Sequence, residues 1–200
     1  MGGWLVFEED SLFKANNNII PMIQAIPTIV LFGQNASNPH GASGDSKLKK
    51  GDTALFDLGV KYNGYCSDIS RTVMYGNPSS ELVKIYNTVL QANLAGVEAS
   101  QPGTRIGDVD LAGRRVIQAA GYGDFFPHRI GHGLGIEIHE APSINEVNEG
   151  LLKSGMVITI EPRIYLNSLG GVRIEDDVVI TDNGYEVLTK FPKELLVVGE

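Results

Sequence analysis

"FDLGVKYNGYCSDIS", residues 56–70, carries two aspartates in strand-like chain on either side of a turn. Asp57 lies between Phe56 and Leu58, inside a run that otherwise asks for burial, and Asp68 follows eleven positions later in the next such run. The turn between them is "YNGY", so two paired strands can set both carboxylates side by side. Either aspartate alone reads as a strand end or a turn cap. With apolar residues on both sides, an ionised carboxylate costs on the order of several kcal/mol unless it is paired or metal-bound.

The neighbouring runs are built alike. "TIVLFG" (28–33), "TALFDLGVKY" (53–62) and "YCSDISRTVMYG" (65–76) are rich in β-branched and aromatic residues and are bounded by Gly, Asn and Asp, which predicts adjacent antiparallel strands. Further on, "GMVITIEPRIYL" (155–166), "GVRIEDDVVIT" (171–181) and "GYEVLTKF" (184–191) predict a second meander. Glu161 and Glu175 interrupt two of these runs as Asp57 and Asp68 interrupt the earlier ones. Brought together, four such acids would repel one another and destabilise the fold unless cations sat among them. Two divalent ions would balance them, as in a carboxylate-bridged dinuclear centre.

Between the two strand groups the period changes. Leu82, Ile85, Tyr86, Val89, Leu90, Leu94 and Val97 recur every three to four residues behind Ser79 and Ser80, predicting a capped amphipathic helix. A second helix is expected from near Ile106 to Gly121. Then comes "HRIGHGLGIEIHE", residues 128–140, holding three of the four histidines in the chain. Arg129 follows the first histidine, and Gly131 and Gly133 weaken a helix, so this is not the helical zinc motif. It reads as a loop in which His132, flanked by glycines, can reach a metal without neighbouring bulk.

Composition sets the frame. Two hundred residues, 42% hydrophobic and 20% charged, suit one globular domain with a sizeable core. The net charge of -8 weighs against nucleic acid and anionic membrane as partners. The densest basic cluster, Lys47, Lys49 and Lys50, reads as a solvated loop. Cys66 is the only cysteine, so no intramolecular disulfide forms, and a cytoplasmic setting is expected. "MGGWLVFEED" has no secretory pattern, and "IIPMIQAIPTIVLFG" is too short and too interrupted to cross a bilayer, which takes about 20 residues. Residues 1–27 read as an irregular N-terminal segment, and residues 28–200 as the folded domain.

The Asp57 and Asp68 pair in "DLGVKYNGYCSDISRT", then "HRIGHGLGIEIHE", "TIEPRIY" and "GVRIED", in this order and with these gaps, resembles the pita-bread metallopeptidases. Within them the similarity is to the Xaa-Pro dipeptidases (prolidases) and aminopeptidase P. The resemblance implies an α+β fold with a curved, mostly antiparallel sheet and helices on its outer face. It implies Asp57, Asp68, His132, Glu161 and Glu175 as ligands of two divalent ions. Manganese is favoured by this hard donor set, with cobalt and zinc as alternatives. It further implies His40, His139 and Glu161 as catalytic groups, with Glu161 as proton acceptor, and His128 in the substrate cleft. Arg173 is read either as a fork for a substrate carboxylate or as a structural ion pair to Asp176 or Asp177. The implied substrate is a small peptide with proline second, cleaved before the proline. Aminopeptidase P-like cleavage of longer Xaa-Pro peptides, and an inactive pita-bread fragment acting only as a metal- or peptide-binding module, are the alternative readings.

Two features depart from the family pattern. Residues 1–27 are too few and too irregular for the helices that normally precede the first strand, so the chain reads as an N-terminally truncated catalytic part. Apolar surface left bare in that way would favour a homodimer. Arg163 stands where the family typically has glycine, which puts a bulky cation close to Glu161.

Overall fold

The computed structural model describes residues 23–38 and 41–199. Six strands come first: β1 (Ile23–Gln24), β2 (Ile29–Phe32), β3 (Thr53–Leu58), β4 (Val60–Tyr62), β5 (Tyr65–Cys66) and β6 (Ile69–Tyr75). Helices α1 (Ser80–Ala99) and α2 (Ile106–Ala119) follow. The second strand group is β7 (Gly131–Gly133), β8 (Glu140–Ile144), β9 (Val157–Ile160), β10 (Arg163–Leu166), β11 (Gly170–Arg173), β12 (Asp176–Thr181), β13 (Gly184–Val187) and β14 (Val197–Val198). They pair as a four-stranded sheet, β14-β6-β3-β2, a five-stranded sheet, β13-β12-β9-β7-β8, and two smaller units, β1-β4-β5 and β10-β11. The architecture is α+β. Among the described residues, β14 beside β6 is the one parallel pair.

The strands expected around Asp57 are neighbours: Asp57 stands opposite Ile29 on β2 and Ser70 on β6. One expected strand is in fact two, because the chain turns at Gly59. A side chain there would put its Cβ 2.3 Å from the Ser67 carbonyl oxygen. Beyond it, β4 and β5 form a tight hairpin through Asn63 and Gly64, both at positive φ (49° and 87°), the backbone an Asn-Gly turn supplies.

Both helices form where the spacing predicts. Ser79 caps α1, its side chain accepting from the Leu82 amide at 3.2 Å, and α2 gives way just before Gly121, which takes a φ of 88°. Leu82, Ile85, Tyr86, Val89 and Val97 face the core, whereas Leu94 is 40% exposed, so the buried stripe is narrower than its sequence. The sheet side of that core includes Ile158, Ile160, Ile164, Val172, Ile174, Val178 and Ile180. Each such side chain stabilises the fold by roughly 1.5–3 kcal/mol relative to exposure. The Asn93 side-chain amide on α1 also donates to the Ile160 carbonyl at 3.0 Å. Since side chains alternate along a strand, the residues after Ile160 and Ile174 turn away from the helices. Those residues are Glu161 and Glu175.

The run expected over 184–191 is a strand only to Val187. Beyond it Arg71 ties the chain down, donating from Nε to the Pro192 carbonyl (3.0 Å) and from Nη2 to the Phe191 carbonyl (2.8 Å). Among the described residues, no helix is long and apolar enough to cross a membrane.

Candidate metal centre

His132 is not on a loop. It is the middle residue of β7, a short strand held between β8 and β9. The flanking glycines serve this packing: a Cβ on Gly131 would lie 1.8 Å from the Thr159 carbonyl oxygen, and one on Gly133 2.2 Å from that of Ala141. The imidazole is 2% exposed, with Nδ1 2.9 Å from the Gly133 carbonyl oxygen. That contact assigns the proton to Nδ1 and leaves the Nε2 lone pair for a metal. Nε2 lies 3.5 Å from Glu161 Oε1 and 3.9 Å from Asp68 Oδ2.

The four acids sit at or near breaks in the strands. Pro162 has no amide hydrogen, so the ladder stops after Ile160, and the Glu161 amide instead donates to the Ile130 carbonyl at 2.6 Å. Glu175 occupies the gap between β11 and β12, where its amide donates to the Ser70 carbonyl at 3.1 Å. Asp68 precedes β6, its amide donating to Asp177 Oδ2 at 3.0 Å. Asp57 is next to last in β3. Ligand atoms of Asp68, His132 and Glu175 all lie within 4.8 Å of one another.

Burial without cations strains this group. Asp68 is pushed up to about 8, first by burial and then by Asp57 and Glu161. Burial also drives Glu175 well above, and Asp57 above, the ordinary carboxylate range, and it lowers His132. Asp68 Oδ1 is buried with no hydrogen-bond partner. An orphaned carboxylate oxygen among further acids and an imidazole lone pair is a donor set that fits a hard divalent cation.

Arg173 is 8% exposed and commits its guanidinium to the protein. It pairs with Asp57 through Nη2 and donates from Nε to Ser70 Oγ (2.8 Å) and from Nη1 to the Tyr165 hydroxyl (3.1 Å). Its ion pair is therefore with Asp57, and it is Arg71 and Lys193 that meet Asp176. Arg163 Nη1 donates to Glu161 Oε2 at 2.7 Å.

Of the other histidines, His139 packs against His132, with ring centroids 4.3 Å apart. The His128 carbonyl accepts from Arg114 Nη2 at 2.8 Å. His40 lies outside the described residues, as does most of the irregular segment 1–27. A cavity of about 750 Å³ adjoins the cluster; Asp68 lines it, but Asp57, His132, Glu161 and Glu175 do not.

Sequence reading did not pick out Ser70 or the role of Asp177. Ser70 Oγ donates to Glu175 Oε2 at 2.6 Å while accepting from Arg173. Asp177 buttresses the Asp68 backbone and is raised to about 7, chiefly by burial. Each stands two positions after a cluster acid, and that spacing was the available signal.

The chain is similar to known proteins over most of its length. The sequence profile of metallopeptidase family M24 matches residues 9–182. A Bacillus subtilis protein provisionally described as a dipeptidase is 57% identical over 170 residues, 85% of this chain and 47% of its own length. The solved Xaa-Pro dipeptidase of Bacillus anthracis superposes with a TM-score of 0.85 at 44% identity, over 88% of this chain and 49% of that one. The prolidase of Pyrococcus furiosus gives 0.82 at 48% identity, over 84% and 50%. The chain thus spans about half the length of these relatives, and its architecture is the pita-bread fold they share. With the profile covering most of the sequence and relatives this similar, the chain belongs to metallopeptidase family M24.

Proposed function

We propose that the chain is the catalytic part of a prolidase-like enzyme, hydrolysing the Xaa-Pro bond of dipeptides with two divalent ions. The observation that carries this reading is the convergence of Asp68, His132 and Glu175, with Asp57 and Glu161 beside them, around a buried carboxylate oxygen that has no partner. The names of the relatives, Xaa-Pro dipeptidase and prolidase, supply the substrate class.

On this reading Asp57, Asp68, His132, Glu161 and Glu175 hold the ions, Mn²⁺ first given four carboxylates and one imidazole. When bound, the ions would polarise the scissile carbonyl and supply an activated water. Glu161 would serve as the proton acceptor at its carboxylate. His139, packed against His132, and His40 stabilise the oxyanion or pass the proton to the leaving proline nitrogen. His128 lines the cleft. Arg173 holds Asp57 in place, and Ser70 holds Glu175. Proline forms a tertiary amide with no N–H, so a dedicated site replaces the contact that ordinary peptidases use. The lone thiol of Cys66 suits a reducing, cytoplasmic setting.

The test is to strip the protein of metal, add Mn²⁺ while following thermal stability, and assay Met-Pro and Leu-Pro against Ala-Ala and a Xaa-Pro tripeptide. Stabilisation, two ions per chain and cleavage of the Xaa-Pro dipeptides alone support the reading. Cleavage of the tripeptide would favour the aminopeptidase alternative, and failure to bind metal would sink the catalytic reading.

A further inference from the structure

On the helix side of the acid cluster, one amide side chain touches two peptide units. Asn93 is fully buried on α1, and its Nδ2 donates to the Ile160 carbonyl at 3.0 Å and reaches the Ile174 carbonyl at 3.5 Å. Each of these carbonyls shares a peptide unit with the amide of the glutamate that follows. The Glu161 amide donates to the Ile130 carbonyl at 2.6 Å, and the Glu175 amide to the Ser70 carbonyl at 3.1 Å. Both peptide units are therefore held at both ends, and Asn93 is the part that the two clamps share.

Carbonyls only accept, so these contacts need the nitrogen of the Asn93 amide turned toward them and its oxygen turned away. Lys193 meets that oxygen: its Nζ donates to Asn93 Oδ1 at 2.8 Å and to Asp176 Oδ2 at 2.5 Å. An ammonium has three donors and no acceptor, so it fixes which way the amide faces. Without it a buried oxygen loses its partner. Turning the amide over would give no relief, because oxygen would then face the two carbonyls. The remaining contacts of this corner separate that role from simple tethering. Arg71 already pairs with Asp176 at 2.7 Å and already holds the Phe191 and Pro192 carbonyls. The Tyr86 hydroxyl lies 3.1 Å and 3.2 Å from the Lys193 and Glu194 carbonyl oxygens. Neutralising Asp176 and tying down the C-terminal segment are thus served by Arg71 and Tyr86; what Lys193 adds is the bond to Asn93.

We propose that Lys193 is a positioning residue of the metal centre. Acting through Asn93, it fixes the peptide units that lead into Glu161 and Glu175, and so sets the spacing of these two glutamates. The proposal rests on the metal-centre reading above. It ties a residue of the C-terminal segment, far from the cluster in sequence, to two of its five acid and imidazole groups. A lysine that served only to dock the segment would affect melting alone, and its loss would be matched by loss of any other tether of similar strength.

The experiment titrates Mn²⁺ into the whole chain and into Lys193→Met, Asn93→Leu, the double variant and Tyr86→Phe, at a temperature where each is folded. Free ion is followed by its paramagnetic resonance signal, and melting is recorded in chelator. Lys193→Met and Asn93→Leu should each weaken Mn²⁺ binding by about tenfold or more, the usual effect of losing a group that orients a ligand. The double variant should bind within about threefold of the weaker single one, since the two residues act in series. Tyr86→Phe, which removes a tether of the same segment, should melt lower but bind Mn²⁺ within about twofold of the unsubstituted chain. If Asn93→Leu does not fold, Lys193→Met against Tyr86→Phe decides the matter. Affinity in Lys193→Met within about twofold of the unsubstituted chain would overturn the proposal. So would an equal loss in Tyr86→Phe, or losses that multiply in the double variant. If the unsubstituted chain itself binds no Mn²⁺, the metal-centre reading fails and takes this one with it, whereas normal binding that ignores position 193 sinks only the positioning role.

Discussion

Replacing Arg173 with methionine keeps most of the side-chain length and removes the charge. Asp57, 9% exposed, would then face Asp68 and Glu161 without the arginine that counters its burial. Ser70 and Tyr165 would each lose a donor as well. Deleting one partner of a buried ion pair costs about 3–5 kcal/mol, because the other charge stays buried and unpaired. In a chain of this size each kcal/mol lowers the melting temperature by about 2–4 °C. Arg173→Met should therefore melt at least about 6 °C below the unsubstituted protein when both are scanned in excess chelator. Saturating Mn²⁺ should recover part of that loss, since an ion at Asp57 supplies the missing positive charge. Were the role of Arg173 only to bind a substrate carboxylate, the two metal-free proteins would melt together and the KM for a dipeptide would rise alone. Melting temperatures within about 2 °C in chelator would refute the structural argument.

Three further outcomes follow from the same site. Ser70→Ala, which removes the donor to Glu175, should weaken Mn²⁺ binding by about 10- to 100-fold, read by titration against a metal indicator, while circular dichroism stays unchanged. Gly131→Ala would drive a Cβ to 1.8 Å from the Thr159 carbonyl oxygen, so it should part β7 from β9 and abolish metal-induced stabilisation even where some protein remains soluble. The third outcome concerns pH. Burial, with Asp57 and Glu161 beside it, pushes folded, metal-free Asp68 up to about 8, far above the ordinary carboxylate range, so the folded state keeps a proton that the unfolded chain releases. Stability is then fullest below about pH 4 for this group and is lost as pH rises toward 8. Metal-free melting temperature should fall from pH 5 to pH 8, and the increment given by Mn²⁺ should grow over the same range. A metal-free profile that rises across it would contradict the buried-acid picture.

The acids were legible because they break a rule: Asp57, Glu161 and Glu175 stand in apolar, β-branched runs whose other residues ask for burial. Both helices were legible by period and caps, down to Ser79 and Gly121. What sequence did not disclose was where strands stop. The runs through Asp57, Glu161 and Glu175 read as continuous, yet the chain breaks at Gly59, after Ile160 and around Glu175. Pro162 was a visible signal for one break; Gly59 acts through its close approach to Ser67, a contact between residues eight apart that no local pattern encodes. His132 was misread as a loop residue for a similar reason. Its glycines look like flexibility, and in the fold they are clearance for the Thr159 and Ala141 carbonyls.

Those breaks explain how a repulsive cluster is held together at all. A continuous strand places successive side chains on alternate faces, so one carboxylate per strand can be presented only where its neighbours are anchored behind the sheet. Ile160 and Ile174 are that anchor: both are fully buried against the helices, and the Asn93 side chain donates to the Ile160 carbonyl. The break falls directly after Ile160 and at Ile174 itself, and with each break comes the acid. Apolar burial on the helix side thus opposes acid repulsion on the other side through a single peptide unit. The metal-free protein should therefore stay folded while its site strains. Truncating Ile160 to alanine should cost about 2–5 kcal/mol of stability and loosen Glu161 as well, which a fall in both melting temperature and Mn²⁺ affinity would reveal. A fall in stability with metal affinity intact would show that the acid is positioned by its own contacts, Arg163 and the Ile130 carbonyl, rather than by the core behind it.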